Sequence, residues 1–68
     1  MKQKIDRYSN NCISYICNYN NSGQRHGLQI GYDYNGSIRY IQNWFNDKRF
    51  GLYTLNYYSG EIEQKYYL

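Results

Sequence analysis

The chain repeats itself. Displaced by 24 residues, Gly27 falls on Gly51, Leu28 on Leu52, Tyr34 on Tyr58, Gly36 on Gly60 and Ile38 on Ile62. Displaced by 25, the first third joins in: Ile5 falls on Ile30, Asn10 on Asn35, Ile13 on Ile38, Tyr15 on Tyr40, Ile16 on Ile41, Asn18 on Asn43 and Tyr19 on Trp44. The one-residue change lies in "NNSGQRHG", a polar loop where an insertion costs little. Self-similarity at such a period marks stacked supersecondary units, and three copies are about the minimum for a stack.

Each unit reads as strand, turn, strand. The turns are "SNN", "YNG" and "YSG", and an Asn-Gly pair between apolar-rich runs is the strongest short-range hairpin signal. The pattern predicts an all-β antiparallel meander of about six strands, near 3–8, 12–19, 28–34, 37–45, 52–58 and 61–67. They group into three hairpins, 3–19, 28–45 and 52–67, within a single domain spanning 1–68. No segment sustains a helical period of about 3.6.

Register follows from the turn. A three-residue loop Tyr34-Asn35-Gly36, with Gly36 left-handed in a bulge, aligns even positions with even ones. One face then carries Leu28, Ile30, Tyr32, Ile38, Tyr40 and Trp44, and the other Gln29, Gly31, Asp33, Ser37, Arg39 and Asn43, with Ile41 the exception. A two-residue loop would instead mix Ile30 and Tyr32 with Arg39 and Asn43. Since a one-residue slip exchanges the faces, the cleaner segregation is the expected one.

A 68-residue chain hides only about 60% of the surface it exposes when unfolded. Aliphatics are few and eleven residues are tyrosine, whose ring carries a hydroxyl that needs water or a partner. A thin core under a wet aromatic surface implies a cover: a target protein or a second copy, making a homodimer. Absence of proline and abundance of aromatics exclude a disordered tail. No apolar run approaches the roughly 20 residues of a membrane span, and no signal-peptide core follows the basic "MKQKIDRYSN", so the expected compartment is the cytoplasm, the host's if the chain is phage-encoded. Cys12 and Cys17, on one strand and five residues apart, would lie roughly 16 Å from each other, too far for a disulfide. They read as reduced thiols, one of them filling the core.

The stretch "QRHGLQIGYDYNGSIRYIQNWFNDKRFGLYTLNYYSGEIEQKYY" resembles the MORN-repeat variant of antitoxin-like bacterial proteins. Matching positions are Gly23, Arg25, Gly27, Tyr34, Gly36 and Ile38 in one unit. In the next they are Asn46, Lys48, Arg49, Gly51, Tyr57, Tyr58, Gly60, Ile62 and Tyr66. Leu28 and Leu52 stand where the family usually has tryptophan, and Asp47 where it has a turn glycine. The resemblance implies a rolled antiparallel sheet of stacked MORN-like hairpins that serves as a scaffold for protein contacts, sometimes at a membrane surface.

Chemistry-bearing patterns are scarce. His26 lies in a loop with no cysteine or serine patterned around it, although nucleophilic catalysis needs that adjacency. Cys12 and Cys17 lack the close spacing of a zinc ligand pair, and Glu61 and Glu63 flank Lys65 as a charge-balanced edge. No catalytic residue, metal or cofactor is expected. Nucleic acid is the alternative class: the net charge is +3 and "RYIQNWFNDKRF" interleaves rings with cations, as single-strand binders do. Its basic cluster is Lys48 with Arg49, joined by Arg25 if "GQRHG" and "DKRFG" stack at one end.

Protein binding is the leading expectation, because Tyr, Trp and Arg dominate the energetic centres of interfaces. The candidate contact residues are Tyr32, Tyr34, Tyr40, Trp44, Tyr58, Tyr66, Arg25, Lys48 and Arg49. A chain this small, with binding rings and no chemistry, fits a stoichiometric inhibitor carried by a phage or mobile element, an antitoxin or anti-defence protein that occludes its target.

Overall fold

The computed structural model describes residues 2–68. They form one antiparallel sheet of seven strands with no helix among them: β1 (Lys2–Arg7), β2 (Ile13–Tyr19), β3 (Arg25–Tyr32), β4 (Ile38–Phe45), β5 (Lys48–Arg49), β6 (Gly51–Asn56) and β7 (Ile62–Tyr67). The strand order is β1-β2-β3-β4-β6-β7, with the two-residue β5 paired to β4. This is the expected meander with one short strand added. The addition comes from Asn46 and Asp47, whose φ values of 50° and 68° turn the chain tightly back on itself. Left-handed geometry at both central residues is the signature of a two-residue hairpin, so Lys48 and Arg49 pair with Phe45 and Trp44.

The hairpin loops have the expected form. In the second, Asp33 N donates to Ser37 O at 2.7 Å and Gly36 N to Asp33 O at 2.9 Å, closing a three-residue loop with Gly36 at φ 91°. Glycine adopts that conformation freely, and asparagine or aspartate at some cost. Asn11 at φ 71° and Gly60 at φ 88° hold the same place in the first and third loops. The repeat is therefore structural as well as textual.

The expected face assignment is overturned further along. Tyr32 opposes Ile38 as an even–even pair, but Gly31 then opposes Tyr40, so Arg39 has no partner. This bulge sets two residues against one and reverses the parity of the rest of β4. Gln29 faces Gln42, Ile30 faces Ile41 and Gly27 faces Trp44. Tyr40 and Trp44 thus leave Leu28, Ile30, Tyr32 and Ile38 for the opposite side. Ser14 does the same in β2, where Asp6 opposes Tyr15 and Arg7 opposes Ile13. The third hairpin has no such bulge: Asn56 opposes Ile62 and Leu52 opposes Tyr66 in one unbroken register.

Residues directly opposite each other share a face, and following them across the sheet puts most rings on one side and most aliphatic side chains on the other, with Leu55, Tyr32 and Tyr66 the exceptions. One face gathers Tyr15, Tyr19, Tyr40, Trp44, Tyr53 and Tyr67. The other carries a ladder of Ile5, Ile16, Ile30 and Ile41 in successive strands, flanked by Leu28, Ile38, Leu52, Ile62 and Tyr66. Only the aromatic face holds buried apolar side chains among the described residues, Cys17 at 1% exposure and Trp44 at 9%. Cys17 and the half-buried Cys12 are free thiols.

Candidate binding surface

The β2–β3 loop and the β4–β5 turn lie side by side at one end of the sheet. Asp47 joins them: its carboxylate accepts from the Arg25 backbone N–H at 2.8 Å and from Arg25 Nε at 3.2 Å, while Asp47 N donates to Arg25 O at 2.9 Å. Asn20 Nδ2 adds a bond to Asn46 Oδ1 at 3.0 Å. The two loops stack as the basic-cluster expectation requires. Aspartate at this turn has a physical reason, since a residue without a carboxylate could not clamp the guanidinium. Donation by the Arg25 backbone, then by its side chain, holds the Asp47 carboxyl below the usual carboxylate range.

Fixed in this way, the Arg25 guanidinium lies 3.9 Å from the centroid of the Trp44 ring, a cation–π geometry. Beneath it, Trp44 Nε1 donates to Gln29 Oε1 at 2.6 Å. The same oxygen accepts from Gln42 Nε2 at 3.1 Å, and Gln29 Nε2 donates to the Tyr40 hydroxyl at 3.2 Å. Burial pushes the Tyr40 phenol above its ordinary value. Gln42 Oε1 is buried without a partner.

Across the strands, Arg49 Nη1 donates to the Tyr67 hydroxyl at 3.0 Å. Its guanidinium lies 5.4 Å from the Tyr67 ring and 6.0 Å from Tyr53, and Lys65 Nζ lies 5.2 Å from Tyr67. Lys2 and Lys4 oppose Tyr19 and Cys17, so five of the eight basic residues stand on the aromatic face. Two arginines over rings, held by side-chain and backbone bonds, make a semi-rigid cationic surface that can receive carboxylates or phosphates.

The expected contact residues divide among three places. Arg25, Tyr40, Trp44 and Arg49 share the aromatic face. Tyr34 and Tyr58 sit at the opposite, hairpin-loop end and serve loop stacking there. Tyr34 packs on Tyr8 with centroids 5.3 Å apart, and Tyr58 lies under Arg39 at 4.6 Å. Tyr32 and Tyr66 belong to the aliphatic face, and Lys48 is exposed on β5 opposite Phe45. Gln29, Gln42, Tyr53 and Tyr67, which hold or extend the surface, went unidentified in the sequence, as did Phe45 and Phe50, each 54% exposed. The missed signal for the last pair was their placement on both flanks of "NDKR". His26 is structural: its Nδ1 accepts from Asn46 N at 3.4 Å and its ring packs on Phe45 at 5.0 Å. Among the described residues no group of three His, Cys, Asp or Glu is placed to hold a metal, and no helix is long and apolar enough to cross a membrane. No family model, curated protein or solved structure matches the chain.

Proposed function

We propose that the protein is a non-enzymatic, stoichiometric binding module that occludes an acidic patch on a partner protein through the Arg25–Trp44–Arg49 surface. The observation that carries this reading is the pre-arranged pair of guanidiniums over Trp44 and Tyr67. Rigid arginine and aromatic groups lose little freedom on binding, and they are the residue types that concentrate interface energy. An inhibitor of antitoxin or anti-defence type, carried by a phage or mobile element, fits this chemistry and the MORN-like repeat.

Affinity capture from lysates of candidate bacterial hosts tests the reading. One protein should be retained in stoichiometric amount by the wild-type chain and lost with Arg25→Glu/Arg49→Glu. Retention that survives the double variant overturns this surface, and recovery of RNA alone replaces the reading with its alternative. That alternative, single-stranded nucleic acid, draws on one specific observation: six rings and five cations on one face. It ranks second because Trp44 is only 9% exposed and Arg25 already covers it, which leaves that ring unavailable to a stacking base. Oligonucleotide anisotropy that falls steeply with salt would favour it.

A further inference from the structure

We infer that the aliphatic face is the interior of a face-to-face dimer of this chain. The sheet measures 35 × 28 × 10 Å along its principal axes, so it is one layer thick, whereas stable domains bury their apolar faces between at least two layers. On that face Ile5, Leu28, Ile38, Leu52, Ile62 and Tyr66 keep between 39% and 66% of their surface exposed. They surround the isoleucine ladder, which runs straight across four strands.

Charge selects the occupant. Polar positions between these apolar ones are uncharged (Gln3, Asn18, Asn43, Thr54, Gln64), and the register leaves Arg7 and Lys48 at opposite ends as the face's only charges among the described residues. Arg7 is tied to its own loop through Asn11 O at 3.0 Å. A charge-poor, β-branched surface matches another of its kind, and interfaces between identical subunits are the more apolar class. A second copy supplies such a surface by symmetry, with ladder meeting ladder near the two-fold axis.

Area agrees. The 35 × 28 Å footprint exceeds the roughly 800 Å² per partner of a standard stable interface. Two such sheets pack about 10 Å apart as a sandwich. Edge-to-edge pairing is the competing geometry, but β1 reads "KQKIDR", and charges on an edge strand oppose it. The inference is independent of the proposed target, because the dimer leaves both arginine–aromatic faces outward.

Sedimentation equilibrium of the full chain tests it. Wild type should show twice the 8.3 kDa chain mass at micromolar concentration, with a thermal midpoint that rises with concentration. Leu28 and Leu52 are 46% and 43% exposed in the single sheet, so Leu28→Gln/Leu52→Gln should leave the fold intact while weakening association about a hundredfold. Arg49→Glu, on the opposite face, should leave the mass unchanged. A chain that stays monomeric at submillimolar concentration overturns the inference. So does a dimer that Leu28→Gln/Leu52→Gln leaves intact, or one that Arg49→Glu dissolves.

Discussion

On the aromatic face Trp44 of β4 is 9% exposed, whereas on the aliphatic face Ile38 of the same strand keeps 39% and Leu28 of the neighbouring β3 keeps 46%. Both faces hang from the same strands, so backbone geometry does not explain the contrast. Reach does. A tyrosine or tryptophan ring can lie along the sheet and cover its neighbours, while an isoleucine stands upright on the pleat and needs a second layer to meet it. Tyr40 shows the mechanism: its ring lies across Gly31, where a Cβ would come within 2.0 Å of Cε1. The rings seal one side of a single sheet, and the side chains usually counted as most hydrophobic stay open on the other.

The sharpest break of this contrast is a pair of truncations. Trp44→Ala removes the ring under Arg25 and leaves Gln29 Oε1 short of a donor, and should cost about 3–5 kcal/mol. In a chain of this size that is enough to abolish cooperative unfolding. Ile62→Ala, at concentrations too low for self-association, should stay within about 0.5 kcal/mol. Urea midpoints followed by circular dichroism compare the two, and equal losses would refute the assignment of the core to the aromatic face. Next in size is Gly31→Ala. The added methyl must displace Tyr40, at a cost of about 1–3 kcal/mol. In a Tyr40→Ala background the same methyl should be nearly neutral, a coupling that a double-mutant cycle reads directly.

Much of this frame was legible beforehand. The 24- and 25-residue displacements located the three repeated hairpins, though not the tight β4–β5 hairpin at Asn46 and Asp47, and the place of Gly36 between Asn35 and Ser37 determined a left-handed loop residue that the backbone adopts at φ 91°. The bulges at Ser14 and Arg39 were not recognised, and they decide which side chains meet. Their signal was present in "ISYI" and "IRYI", since two isoleucines three apart can share a face only if an extra residue intervenes. The third unit reads "IEQK" instead, lacks the second isoleucine, and pairs without a bulge. The Gln29 hub was illegible for another reason: nothing local distinguishes a glutamine that will accept from Trp44 from one that faces water.

A smaller effect on the aromatic face is read by titration. Burial raises the Tyr40 phenol above its usual value, against the opposing influence of its bond from Gln29. The folded state therefore favours the neutral form, and this contribution is complete below the unfolded value near pH 10. It is lost as pH rises through Tyr40's own, higher value. Phenolate absorbance should show a late-titrating component that Tyr40→Phe diminishes, and alkaline destabilisation should be shallower in that variant.

The smallest expected effect concerns the clamp at the loop end. Asp47 is held ionised by the Arg25 backbone N–H and guanidinium, so its folded pKa lies below the unfolded value of about 3.9. The stabilisation is complete above that value and disappears as pH falls through the lower, folded one. Both groups are open to solvent, with side chains 42% and 49% exposed, which keeps the effect small and sensitive to salt. Asp47→Asn should flatten the acid limb of stability below about pH 4 and free Arg25 to leave Trp44, which steady-state tryptophan fluorescence can follow because Trp44 is the chain's one tryptophan. An Asp47→Asn protein whose fluorescence matches wild type across that range would mean that Trp44 holds Arg25 without the carboxylate. The binding surface would then be built by the ring alone, and the side-by-side loops would be incidental to it.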